Sequence, residues 1–119
     1  MPSTEALYVV EFGDLAPGGN SYRNGGVAVL ETNRIFGGDS GYYYIGTFSI
    51  TANTIQADAR IVRHNNNIAI PSVWGDNSPS FQVTIQGTIS NGIIQGFMER
   101  VGIPGIRIPV RLTWKEALP

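Results

Sequence analysis

The chain has no cysteine, a single histidine and few charges, with 14% of its 119 residues charged. Without cysteine there is no disulfide frame and no thiolate chemistry, a composition that suits a reducing compartment, so a cytoplasmic protein is expected. Eight Lys and Arg face nine Asp and Glu, and the resulting net charge of -1 provides no long-range field to gather nucleic acid. No apolar run approaches the roughly 18 residues that suggest a membrane span, and Met1 to Glu5 lacks the basic and apolar segments of a signal peptide. Neither a nucleic-acid partner nor a membrane is expected. Helical periodicity is also missing throughout.

What is present is period two. From Thr54 onward Ile55, Ala57, Ala59 and Ile61 alternate with Thr54, Gln56, Asp58 and Arg60, as a strand with one wet face requires. The alternation returns in Phe81, Val83 and Ile85, and again in Ile106, Ile108, Val110, Leu112 and Trp114. Less regular strands are expected over Leu7 to Phe12, Gly26 to Glu31, Arg34 to Gly37, Tyr42 to Ile50 and Ile93 to Arg100, bringing the count to about eight. Thr32-Asn33, Thr51-Ala52-Asn53 and Ser90-Asn91-Gly92 are polar breaks of the length that joins neighbouring antiparallel strands. The longer breaks, Gly13 to Asn24 and Asn65 to Pro79, read as surface loops, with a helical turn expected near Pro71.

About eight short antiparallel strands in a chain long enough for one domain hide their edges best by closing into an up-and-down barrel, and the whole of 1–119 is assigned to it. Ile55, Ile61, Phe81, Val83, Ile85, Ile108, Val110, Leu112 and Trp114 are expected inside. Pro109 removes a ladder donor from the last strand, so imperfect closure is expected there. Gly46, Gly87 and Gly96 fall within strand patterns, where curvature or close packing is the usual reason.

Little in the sequence suggests catalysis. His64 has no partner at a spacing that would orient it as a base, and one histidine with scattered carboxylates makes no metal cluster. Gly37-Gly38-Asp39-Ser40-Gly41 lacks the lysine and the following helix of a phosphate loop; Asp39 and Ser40 suit a corner in which short side chains bond to nearby backbone. No enzyme activity, cofactor or metal is expected. On the strand after the corner, Tyr44, Phe48 and Ile50 share one face, read as inward, while Tyr43 and Ile45 share the other. Outward Tyr43 and Ile45, joined by Phe97, are the candidate dimer surface. Small residues at Ala57 and Ala59, with Gly46, Gly87 and Gly96 and the rings of Tyr44, Phe48, Phe81 and Trp114, leave open a second reading, in which a small apolar ligand lies inside the barrel.

Gly37-Gly38-Asp39-Ser40 followed by Tyr43-Tyr44-Ile45-Gly46, with Arg63-His64 and Pro71-Ser72-Val73-Trp74-Gly75 downstream, resembles the GrlR-type negative regulators of type III secretion. The resemblance runs from about Val27 to Trp114. It implies a small lipocalin-like barrel without enzyme activity, acting in the cytoplasm by protein-protein interaction; the family's founding regulator is a homodimer that sequesters a helix-turn-helix transcriptional activator. That regulator uses an acidic Glu-Asp-Glu-Asp loop, and the matching position here, Thr51-Ala52-Asn53-Thr54, carries no charge.

Overall fold

The computed structural model describes residues 4–13, 24–65 and 78–119. They form eight strands: β1 (Ala6–Phe12), β2 (Asn24–Glu31), β3 (Arg34–Gly38), β4 (Tyr42–Thr51), β5 (Thr54–Arg63), β6 (Ser80–Ser90), β7 (Ile93–Arg100) and β8 (Ile103–Ala117). Each strand pairs antiparallel with the next, and β8 returns to β1, so the sheet is a closed up-and-down barrel. Among the described residues there is no helix, and none long and apolar enough to cross a membrane. The turn expected near Pro71 and the Pro71 to Gly75 block lie outside the described residues.

Three tight hairpins sit at the same end of the barrel as the outer ends of β1 and β8. Thr32 and Asn33 both have left-handed φ (50° and 63°), as do Asn91 (52°) and Gly92 (78°), the backbone twist that two-residue hairpins favour. Ala52, between β4 and β5, has φ of 56°. Thr32 is β-branched and strained in this region. Its amide donates to the Glu5 carboxylate, which ties the start of β1 to the β2–β3 turn. The opposite end, here termed the loop end, carries the β3–β4 corner and the β7–β8 turn, where Gly102 has φ of 93°.

The inward phase of each strand fills the barrel. Tyr8, Leu30, Val83 and Ile108 are fully buried, and Val10, Phe48, Ile55, Ala57, Ile94, Val110 and Leu112 belong to the same apolar interior. Phe12, Ile85, Ile89 and Trp114 pack against that core while staying partly exposed. Phe81 and Ile61 keep the expected phase but lie near the loop end and are half-buried. Ile50 departs from expectation: it shares the phase of Phe48, yet it sits beside the β4–β5 hairpin, and this position at the rim leaves it exposed.

Pro109 does not open the barrel. Its carbonyl accepts from the Gly13 amide at 3.0 Å, just beyond Phe12 and Val110, the last pair of the β1–β8 ladder. A residue's nitrogen and carbonyl face the same neighbour in a strand, so the missing donor falls where the ladder has already run out. The seam is also held by Arg111 on β8 and Glu11 on β1, paired in register with Nη2 and Oε1 3.0 Å apart.

Gly46 and Gly96 create no empty space. A Cβ on Gly46 would come within 1.9 Å of the Asp58 carbonyl oxygen, and one on Gly96 within 1.9 Å of that of Gln86. Backbone occupies these places, so the glycines serve close approach of bent neighbouring strands. These glycines free no room inside the barrel, so the reading of an apolar ligand in the interior rests on Ala57 and Ala59.

Candidate functional site: the outer wall

The β3–β4 corner fixes how β4 leaves its turn. One oxygen of the Asp39 carboxylate accepts from the amides of Gly41 (2.9 Å) and Tyr42 (2.8 Å), and the Asp39 amide donates to the Tyr42 carbonyl at 2.9 Å. Its second oxygen accepts from the Tyr44 hydroxyl. Burial, then the hydrogen bond to Asp39 and the charge of Asp39, push the Tyr44 phenol well above its ordinary value. Gly37 pairs with Tyr44 and Gly38 with Tyr43 across β3 and β4, while Ser40 is exposed at the tip and its carbonyl accepts from the Asn65 side-chain Nδ2 at 3.5 Å. The exposed His64 side chain donates from Nε2 to the Asp39 carbonyl at 2.9 Å, and its amide donates to the Gly41 carbonyl at 3.0 Å. His64 thus braces the corner from just beyond the end of β5.

With β4 set in this way, Tyr43 and Ile45 point away from the core, 39% and 48% exposed. They do not stand alone. Across the ladders Val9 pairs with Val27, Val27 with Gly38, Gly38 with Tyr43 and Tyr43 with Val62. One rung along, Leu7 pairs with Val29, Val29 with Phe36, Phe36 with Ile45 and Ile45 with Arg60. Directly opposed residues in an antiparallel sheet share a face, so these two rungs make one apolar stripe over the outside of β1 to β5. Val27 and Phe36 within it are 47% and 37% exposed. Five strands at about 4.8 Å spacing carry the stripe across roughly 20 Å of surface.

At its β5 edge the stripe ends in an open depression of about 240 Å³, bordered by Ile45, Asp58, Arg60, Gln82 and Val101. Apolar wall gives way there to a charged and polar border.

Phe97 is not part of this stripe. It is 47% exposed, but its partners in register are Gln86 on β6 and Pro109 on β8, and the Arg107 guanidinium lies 5.4 Å from its ring. The Gln86 rung continues through Gln56 to Ser49, a polar path that separates Phe97 from Tyr43 and Ile45. The three candidate dimer residues therefore occupy two places. Sequence reasoning also missed Leu7, Val9, Val27, Val29 and Phe36. The signal was available: Leu7-Tyr8-Val9-Val10 and Val27-Ala28-Val29-Leu30 are apolar at every position, so both faces of β1 and β2 had to be apolar.

The remaining candidates divide between the interior and the hairpin end. Phe48, Ala57 and Ala59 are buried, Tyr44, Phe81 and Trp114 are half-buried, and all point to the barrel axis. Thr51, Ala52, Asn53 and Thr54 are all exposed in a tight hairpin, whose Asn53 carbonyl accepts from the Ile89 amide at 2.7 Å. Among the described residues no group of three or more His, Cys, Asp or Glu could hold a metal ion. No known family model matches the chain, and no curated protein is significantly similar to it.

Proposed function

We propose that this barrel is a non-enzymatic regulatory protein that works by protein-protein contact, and that its first contact is with a second copy of itself through the outer stripe on β1 to β5. The observation that carries this reading is the continuity of the apolar rungs from Leu7 and Val9 to Ile45 and Tyr43. Monomeric proteins rarely leave so extended an apolar surface in water. A two-fold pair covers the same stripe on both copies and needs no other partner to do so. The resemblance to the negative regulators of type III secretion extends the proposal to a cytoplasmic regulator of that system. The neutral hairpin Thr51-Ala52-Asn53-Thr54 supports a contact with a regulatory partner elsewhere on the surface.

Analytical ultracentrifugation tests the proposal. A dimer is expected at micromolar concentration, and Ile45→Arg is expected to give a folded monomer, because the new charge is solvated in the monomer and stranded in the contact. Phe97→Arg, outside the stripe, should leave the dimer intact. A wild-type monomer at several hundred micromolar would overturn the reading. In the host, excess wild-type chain should lower type III secretion and the Ile45→Arg variant should not.

A further inference from the structure

The hairpins between β2 and β3, β4 and β5, and β6 and β7 each carry an exposed asparagine in a two-residue turn, but they place it differently. Asn33 and Asn53 stand second, so the amide that follows each belongs to Arg34 or Thr54, which pair in the ladder with Glu31 and Thr51. Asn91 stands first. The amide that follows it belongs to Gly92, which lies between the paired residues Ser90 and Ile93 and is outside the ladder. Among the described residues that amide has no hydrogen-bond partner, whereas the Gly92 carbonyl accepts from the Trp114 amide at 2.8 Å. Asn91 and Gly92 both have left-handed φ, and glycine brings no side chain to shield its nitrogen. The other described Asn-Gly pair, Asn24-Gly25, is held by β1, where Phe12 and Glu11 are its partners.

We infer that Asn91 is a self-modification site of the folded chain, converted to aspartate and isoaspartate by attack of the Gly92 amide nitrogen on its side chain. The deprotonated Gly92 nitrogen bonds to Cγ of Asn91, the Cγ–Nδ2 bond breaks, and Nδ2 leaves as ammonia with the proton that the Gly92 amide gave up. Water then opens the five-membered imide: addition at Cγ gives aspartate, addition at the main-chain carbonyl gives isoaspartate, and nothing is oxidised or reduced. At Asn33 and Asn53 the corresponding nitrogen is tied into the ladder and crowded by the side chain of Arg34 or Thr54. Ring closure at Asn91 requires its peptide bond with Gly92 to turn out of the left-handed conformation. Only the end pair Ser90 and Ile93 has to yield for that, and strand ends open more readily than ladder interiors. Isoaspartate lengthens the main chain of the turn by one carbon, which a two-residue hairpin cannot absorb without shifting Gly92 against Trp114. The tie between the β6–β7 turn and β8 therefore loosens as the molecule ages. The site stands independently of the outer stripe.

Peptide mapping of the folded full chain, kept at pH 8 and 37 °C for several weeks, tests the inference. Mass spectrometry reads the exchange of amide for carboxylate at each asparagine, and labelling by an isoaspartyl methyltransferase reads the isoaspartate share. Because a ladder bond and a side chain both hinder the other two turns, Asn91 should convert about tenfold faster or more than Asn33 and Asn53. Its rate should rise between pH 7 and pH 9, since the nucleophile is the deprotonated amide. Exchanging the two residues, with Asn91→Gly and Gly92→Asn, puts asparagine second and should lower its rate to that of Asn33 and Asn53. The comparison among the three wild-type asparagines decides the matter even if that double variant does not fold. In the converted fraction, separated by its added negative charge, hydrogen exchange at the Trp114 amide should accelerate. Conversion at Asn91 no faster than at Asn33 and Asn53, or conversion seen only in chain unfolded by urea, would overturn the inference.

Discussion

Asp39 fixes the corner because one short carboxylate reaches two backbone amides and a phenol at once. Asp39→Ala leaves these donors without their acceptor, and each unsatisfied buried group costs roughly 1–3 kcal/mol, so a loss of about 2–4 kcal/mol is expected in urea denaturation. Tyr44 makes the corner sensitive to alkali. Its folded value is raised, as is that of Tyr8 by burial. Both phenols are protonated in the folded and unfolded chain below about pH 10, where their contribution to stability is fully present. Above that pH the unfolded chain loses the protons first, and stability falls by about 1.4 kcal/mol per pH unit for Tyr44, whose folded value is raised furthest, with a smaller addition from Tyr8. Unfolding free energies between pH 9 and 11.5 should show this decline, and Tyr44→Phe should remove the larger part of it.

At the scale of strands and turns, the strained hairpin residues and the strand glycines make opposite predictions. Thr32 stands at φ of 50° with a β-branched side chain, and an L-residue in the left-handed region costs about 1–2 kcal/mol. Asn tolerates that region better, so Thr32→Asn should raise stability by up to about 1 kcal/mol in thermal or urea unfolding. Gly96→Ala should lower it by about 1–3 kcal/mol or more, since the added carbon meets the Gln86 carbonyl and the strands must part. Hydrogen exchange at the β6–β7 ladder should accelerate with it. Replacing Thr51-Ala52-Asn53-Thr54 by Glu-Asp-Glu-Asp should, if the resemblance to the GrlR-type regulators extends to partner choice, create calorimetrically detectable binding to the activator that the founding GrlR-type regulator sequesters, through charge-assisted bonds that the neutral hairpin cannot make. Strand order and most inward positions were legible in the sequence wherever polar residues alternated, as in β5 and β8. The outer stripe was not, because residues on β1 and β2 adjoin Tyr43 and Ile45 only once the register of four ladders is known.

For the molecule as a whole, an interface built from Val, Phe, Tyr and Ile side chains responds to salts differently from one built on charge. The constant of the proposed dimer should change little between 0.05 and 0.5 M sodium chloride and should tighten in sulfate, as sedimentation in each buffer would show. The return of β8 to β1 has a kinetic consequence. Seven of the ladders join strands adjacent in the chain, but the last joins Ala6 to Ala117. Closing that contact requires almost the entire chain, and loop-closure entropy slows non-local pairing more than it weakens the finished fold. On the ribosome, β1 must wait as an exposed edge with both faces apolar until β8 has emerged, a state open to pairing with another nascent chain. Joining residues 4 and 119 by a short linker and reopening the chain at Asn91-Gly92 would make the β8–β1 contact local and shift the late closure to β6 and β7. The same barrel would then fold with its vulnerable edge in a different place.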